Sequence, residues 1–239
     1  MTGPEAGPAA LITGASRGIG RGIALALAAR GWHLTLVARD ASRLADVAAG
    51  SPRVDRIAID LAAPDAAATV VAEYAARHDS LDALILAAGV GSAAPLDGYP
   101  MARFDKQFAL NIRTPFALVS QALPMLRAGR GGRVIALASI GGVHAEPLLA
   151  AYGASKAALL ALCRGLNAEE SGHGVTATAI APGYVDTDMS AWVHDTVPPE
   201  TMIPVADVVA TVTMLLDLSP RSVIDEIVIS RAGTSGPRA

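Results

Sequence analysis

Thr13-Gly14-Ala15-Ser16-Arg17-Gly18-Ile19-Gly20 stands between a short apolar run at residues 9–13 and an Ala- and Leu-rich stretch at 19–30. A strand that ends in a glycine-rich turn and feeds a helix is the context in which backbone meets phosphate. The first helical turn has unpaired N–H groups and the positive end of the helix dipole, both suited to a pyrophosphate. Glycines at 14, 18 and 20 omit the Cβ atoms that would block the phosphates or hold helix and strand apart. An ordinary glycine-rich turn is the competing reading; the position after the first strand favours the dinucleotide one.

The alternation begun there continues to the C-terminus. Strands are predicted over residues 9–13, 33–38, 54–59, 83–87, 133–138, 176–181 and 226–229, mostly as continuous apolar runs. Such runs fit parallel strands covered on both faces. Helices are predicted over 19–30, 42–49, 65–78, 101–126, 151–170 and 205–218, with Pro124 and Gly129, Gly131 and Gly132 ending the fourth. Strand and helix in turn imply an α/β doubly wound parallel sheet of about seven strands with helices on both faces. Residues 190–204, with three prolines and Trp192, read as a surface excursion that forms a lid.

The 239 residues fit one α/β domain over 1–231, followed by a flexible tail at 232–239. The chain is 52% hydrophobic but only 4% aromatic, so its interior must be built from Ala, Val, Leu and Ile. A net charge of −3 gives no reason to expect nucleic acid or an anionic membrane as partner. Mean hydropathy is +0.41, yet the longest uncharged stretches fall short of the roughly 18–20 apolar residues of a span. The first residues lack the basic region of a secretory leader, and Cys163 has no second cysteine to pair with. A reducing cytoplasm is the compartment these features imply. The five histidines show no metal-ligand spacing, so no catalytic metal is expected.

Tyr152 and Lys156 lie four residues apart on a predicted helix and therefore share a face. An ammonium beside a phenol favours the phenolate and is expected to lower the tyrosine's proton affinity toward neutral pH. Ser139 follows the fifth predicted strand, at the carboxyl edge where doubly wound sheets bind ligands. Its hydroxyl is placed to donate to an oxygen on which charge develops. Each residue alone has a plain structural explanation; the three together, downstream of a cofactor turn, point to acid–base work on a carbonyl.

The spacing Thr-Gly-x-x-x-Gly-x-Gly departs from G-x-G-x-x-G and resembles the short-chain dehydrogenase/reductase family. Asp60, Ala87-Ala88-Gly89, Asn111, Ser139, Tyr152 with Lys156, and the run from Pro182 to Met189 match that family's motifs in order. Ala87 replaces an asparagine that in the family helps hold the central sheet. The resemblance implies a Rossmann fold and a catalytic tetrad of Asn111, Ser139, Tyr152 and Lys156. In it Lys156 also holds the nicotinamide ribose, and Asn111 positions a proton-relaying water. It implies cofactor contacts from Gly14, Ser16, Arg17, Gly18, Ile19 and Gly20 at the phosphate turn. Further contacts come from Arg39, Asp60, Leu61, Ala88 and Gly89, and from Tyr152, Lys156, Pro182, Gly183, Val185 and Thr187 near the nicotinamide.

Members that prefer NAD place an acid at the end of the second strand, where this chain has Ala38-Arg39. Arg39 and Arg17 are suited to a 2′-phosphate by forked, charge-assisted hydrogen bonds, so NADP is the expected cofactor. The alternative makes both arginines solvated surface charges. Asp40 opposes a phosphate if the register slips by two, and caps the next helix if it does not. His144, Leu148, Tyr184 and Trp192 are candidate substrate contacts, with loop or packing roles as the alternative. The expected reaction is hydride transfer between NADPH and a ketone or aldehyde, or the reverse from a secondary alcohol. A 3-oxoacyl thioester reductase is the alternative, and a non-enzymatic NADP sensor a more remote one. The long fourth and fifth helices are where relatives pair, so a homodimer or homotetramer is expected.

Overall fold

The computed structural model describes residues 7–234; residues 235–239 of the expected flexible tail and the first six residues lie outside them. The chain runs β1 (Ala9–Thr13), α1 (Gly18–Ala29), β2 (His33–Ala38), α2 (Ala41–Ala45), β3 (Val54–Ala58), α3 (Ala66–Ala75) and β4 (Ala83–Leu86). It continues through α4 (Met101–Phe108), α5 (Thr114–Ala128), β5 (Arg133–Leu137), α6 (Ala150–Glu170), β6 (Thr176–Pro182), α7 (Val205–Asp217) and β7 (Glu226–Ile229). All seven strands are parallel, in the order β3-β2-β1-β4-β5-β6-β7. Among the described residues no helix is long and apolar enough to cross a membrane.

Because side chains alternate along a strand, each central strand feeds two cores. Leu11, Leu84 and Val134 pack with Val70 and Tyr74 of α3, Leu118 of α5 and Leu160 of α6. Their neighbours Ile12, Ile85 and Ile135 pack on the other side with Ile23 and Leu27 of α1 and Val212 of α7. Cys163 is buried in the first core, and burial pushes its thiol up to about 12.

Three helical expectations are corrected. The helix predicted over 42–49 ends at Ala45; Ala48 and Gly50 then take positive φ (49° and 81°), which no helix continues through. The stretch 101–126 is two helices, α4 and α5, separated by a wide π-helical turn at Ala109–Arg113. Pro115 accounts for the break: it has no N–H for the Asn111 carbonyl, and its ring crowds that carbonyl in a regular α-turn. Pro124, expected to end the helix, sits inside α5, which runs on to Ala128. The carbonyl that Pro124 leaves unpaired belongs to Ser120, an exposed residue, so the loss is tolerated.

Between β1 and β4 the crossovers leave in opposite directions, and a crevice opens at the carboxyl ends of the strands. Thr13 closes its floor. Its hydroxyl donates to the Ile85 carbonyl (3.3 Å) and accepts from the N–H groups of Ala87 and Ala88 (3.1 Å each). This buried hydroxyl ties β4 to the turn where Ala87 stands in place of asparagine. Thr13→Val leaves two N–H groups without an acceptor, a loss of about 1–3 kcal/mol. Thermal unfolding should show Tm lowered by roughly 2–12 °C; an unchanged Tm would contradict the clamp.

Candidate active site

The phosphate turn is shaped by backbone contact. Gly14 has φ +67°, and a Cβ there would lie 2.8 Å from the Ala88 nitrogen. A Cβ on Gly20 would lie 2.4 Å from the Gly14 carbonyl oxygen, so α1 can start only with glycine at that position. The turn opens on a groove of about 180 Å³ walled by Gly14, Ser16, Arg17, Gly18, Ile19 and Gly20. Arg39, Asp60, Leu61, Ala88 and Gly89 line its other side. Leu61 contributes there while its side chain is buried in the core, and its carbonyl accepts from the Thr114 hydroxyl at 2.6 Å.

Arg39 is exposed at the end of β2. Asp40 caps α2, accepting from the Arg43 N–H (3.0 Å) and the Ser42 hydroxyl (2.7 Å). Those hydrogen bonds, the Arg43 N–H first, hold its carboxyl below the usual range. Arg17 donates to Asp188 at 3.2 Å, across from the segment that follows β6. Asp188 is a groove residue that the motif reading quoted without assigning a role.

A second cavity, about 480 Å³, adjoins the groove and shares with it the walls formed by Ile19, Ala87, Gly89, Thr187 and Met189. Ser139, Tyr152 and Lys156 all line it, as do Pro182, Gly183 and Val185. Asn111 lies just behind: a Cβ on Gly89 would sit 3.3 Å from both Asn111 Oδ1 and Lys156 Nζ. A dinucleotide needs two connected compartments, a glycine-lined one for phosphates and one opening on reactive groups. The residues present fit such a group.

Asn111 projects from the π-turn and is 1% exposed. Its amide donates to the Val90 carbonyl (2.8 Å) and the Ser155 hydroxyl (2.9 Å), and accepts from the Val90 N–H (2.9 Å). Ser155 in turn donates to the Tyr152 carbonyl at 2.7 Å. Both hydrogens of the Asn111 amide are thus given to protein, while Oδ1 keeps a second lone pair. The side chain joins the loop after β4 to the first turn of α6.

Ser139 accepts from the Gly141 N–H at 3.1 Å, which leaves its own hydrogen to donate. The electrostatics of Tyr152 differ from the expectation of a lowered phenol. Burial raises its proton affinity, and the Glu146 charge adds to this, while a hydrogen bond with Ser139 opposes both. Lys156 Nζ, 5.7 Å from the Tyr152 ring centre, donates to the Leu137 carbonyl at 2.7 Å. Burial pushes Lys156 down from 10.5 to about 8. Desolvation outweighs the attraction between the two groups because the cavity is mostly apolar. The phenol therefore keeps its proton at neutral pH.

The substrate side is partly as expected. Tyr184 and Trp192 line the cavity, in edge contact with ring centres 6.3 Å apart. His144 and Leu148 do not line it. Leu148 takes φ 68° and is 50% exposed, which turns it outward, and the buried Leu149 lines the wall instead. His144 is held by its N–H on the Ile140 carbonyl at 2.8 Å. The reading also missed Glu146, which accepts from the Tyr184 hydroxyl at 2.6 Å. Residues 190–204 are more than surface: Val193, Val197 and Met202 are buried with Tyr184 against them, and Val185 bridges to Ile203.

With this geometry in view, comparison with known proteins is decisive. Residues 8–197 match the model of the short chain dehydrogenase family. The chain belongs to the short-chain dehydrogenase/reductase family. It is 38% identical over 196 residues to the rhamnolipids biosynthesis 3-oxoacyl-(acyl-carrier-protein) reductase of Pseudomonas aeruginosa, covering 77% of this chain and 75% of that one. It is 36% identical over 183 residues to the sorbitol dehydrogenase of Cereibacter sphaeroides, covering 75% and 71%. The Pseudomonas aeruginosa RhlG/NADP active-site complex matches with TM-score 0.84 and 30% identity over 95% of both chains. As a member of that family the protein is an oxidoreductase acting on alcohol and carbonyl groups.

The lysine makes a prediction about pH. Lys156 holds its proton more weakly folded (about 8) than unfolded (10.5). The penalty of burying its charge is therefore complete below about pH 8 and fades as pH rises through 10.5. Relative to Lys156→Met, the wild type should gain roughly 3 kcal/mol across that window in urea unfolding. A constant difference between the two proteins would contradict the buried ammonium.

Proposed function

We propose that this short-chain dehydrogenase/reductase prefers NADPH and reduces small ketones or aldehydes, or oxidises the matching secondary alcohols. Tyr152 acts as the acid/base. The observation that carries the reading is the convergence of Ser139, Tyr152 and Lys156 on one cavity that shares a wall with the phosphate groove. NADPH, when bound, supplies the hydride; the protein supplies alignment and electrostatics.

In the reductive direction Ser139 turns its hydrogen from the Tyr152 oxygen to the carbonyl oxygen and holds it against Tyr152. The protonated phenol then gives its proton to that oxygen, and burial keeps the proton on Tyr152 until a stronger base forms beside it. Lys156 reaches the same wall of the cavity and stands ready for the ribose hydroxyls in exchange for the Leu137 carbonyl. Asn111 and Ser155 hold the first turn of α6, and so Tyr152, in register with the loop after β4.

Arg39 beside the groove supports the preference for the 2′-phosphate, with Asp40 drawn away into its capping role. Arg17 is shared with Asp188, so Arg39 carries most of the discrimination. A 3-oxoacyl thioester reductase is the second reading. It is favoured by the 38% identical relative of that name. Exposed Met101 and Phe116 on α4 and α5 support pairing of two copies through those helices.

Tyr152→Phe should abolish NADPH-dependent carbonyl reduction, followed by the loss of NADPH absorbance, while NADPH affinity changes by less than about threefold; retained turnover would refute its role as acid. Arg39→Ala should weaken NADPH by roughly 10- to 100-fold more than NADH, the worth of one charge-assisted hydrogen bond. Equal losses in binding titrations would remove Arg39 from cofactor choice.

A further inference from the structure

Two of the side chains that line the catalytic cavity carry formal charge, Lys156 and Glu146. Lys156 is committed to the Leu137 carbonyl, next to Tyr152. Glu146 belongs to neither the cofactor turn nor the proton-transfer group. It stands on the loop before α6, where the Tyr184 hydroxyl donates to its Oε1 at 2.6 Å. Among the described residues no cation pairs with it, and no other hydrogen bond reaches its carboxylate. Its charge is felt at both Tyr152 and Tyr184, raising the proton affinity of each. The carboxylate and the Tyr152 hydroxyl face the same cavity.

A carboxylate accepts hydrogen bonds and donates none. Tyr184 spends its one hydrogen on Oε1, and the remaining lone pairs of Glu146 are left for whatever fills the cavity. A mostly apolar cavity with one carboxylate in its wall discriminates strongly. A ligand that brings a donor satisfies it, a bare hydrocarbon leaves it desolvated, and an anion is repelled. A strap that merely held the loop to the segment after β6 would treat all substrates alike.

We propose that Glu146, held by Tyr184, is the specificity-determining residue of this enzyme. It selects carbonyl substrates that carry a hydroxyl or ammonium donor near the reacting carbon and rejects those that carry a carboxylate. The proposal rests on the alcohol/carbonyl oxidoreductase reading and gives it a substrate class. Sites built around a substrate donor reject analogues that lack it more strongly than apolar pockets reject a missing methylene.

The test uses four ketones of one chain length: unsubstituted, α-hydroxy, α-amino and carboxylated. Each is measured twice: as kcat/KM with NADPH in the wild-type enzyme, and as calorimetric affinity for the Tyr152→Phe variant with NADPH present. The hydroxy or amino ketone should exceed the unsubstituted one by at least about 10-fold, and the carboxylated one should fall about 10-fold below it. A larger gain for the hydroxy ketone points to polyol-like substrates, and a larger gain for the amino ketone to cationic ones. In Glu146→Leu both ratios should shrink to within about threefold, whatever the absolute rates. Should that variant fail to fold, Glu146→Gln should keep the hydroxy preference and lose most of the penalty on the carboxylate. Ratios unchanged by Glu146→Leu, or by Glu146→Gln for the carboxylate, would overturn the proposal, as would a wild type without preference. Discrimination in binding without turnover of any ketone would leave the proposal standing and sink the catalytic reading.

Discussion

The active site depends on how closely two pieces of backbone approach each other beyond the ends of β1 and β4. Gly14 lies against Ala87 and Ala88 at a distance that admits no Cβ, and Gly20 lies against Gly14 more tightly still. Thr13 fixes this approach with one buried hydroxyl that serves three backbone groups. The approach sets the start of α1, and therefore where its free N–H groups point. It also sets the course of the loop after β4, which walls the phosphate groove and the catalytic cavity alike. Three of the residues that the two compartments share, Ile19, Ala87 and Gly89, stand on the segments brought together there.

Desolvation is the second organising effect. The cavity that receives Tyr152 and Lys156 is lined mainly by apolar side chains, and both groups respond to burial before they respond to each other. Burial favours the neutral phenol and weakens the lysine's hold on its proton. A phenol that keeps its proton is suited to serve as an acid toward an oxygen gaining negative charge. The same low polarity makes Glu146 conspicuous. Glu146 is half-buried, and a ligand that displaces water from its carboxylate must supply a donor of its own, because Tyr184 supplies only one.

Much of this was readable in the chain. Parallel strands buried on both faces show as continuous apolar runs, and β1 and β2 coincide with the runs that predicted them; the partly exposed edge strand β7 was legible as well. The glycine turn is legible because only glycine survives such backbone contact. Tyr152 and Lys156 are legible because helical spacing alone puts them on one side. Other features depend on contacts between distant segments. The π-turn that presents Asn111 precedes Pro115, which the expectation of one helix over 101–126 passed over. The choice of Leu149 over Leu148 turns on one positive φ, to which leucine's identity gives no clue. Glu146 matters because Tyr184, 38 residues away in sequence, folds back onto it.

We propose that the two compartments together transfer hydride between nicotinamide and a carbonyl carbon. The most direct measurement uses NADPH deuterated at the transferable position of its nicotinamide, a mixture of simple ketones and aldehydes, and mass spectrometry of the alcohols formed. At least one product should carry one deuterium on its carbinol carbon. Tight NADPH binding with no label transferred to any carbonyl would contradict it and describe a protein that senses the cofactor without using it.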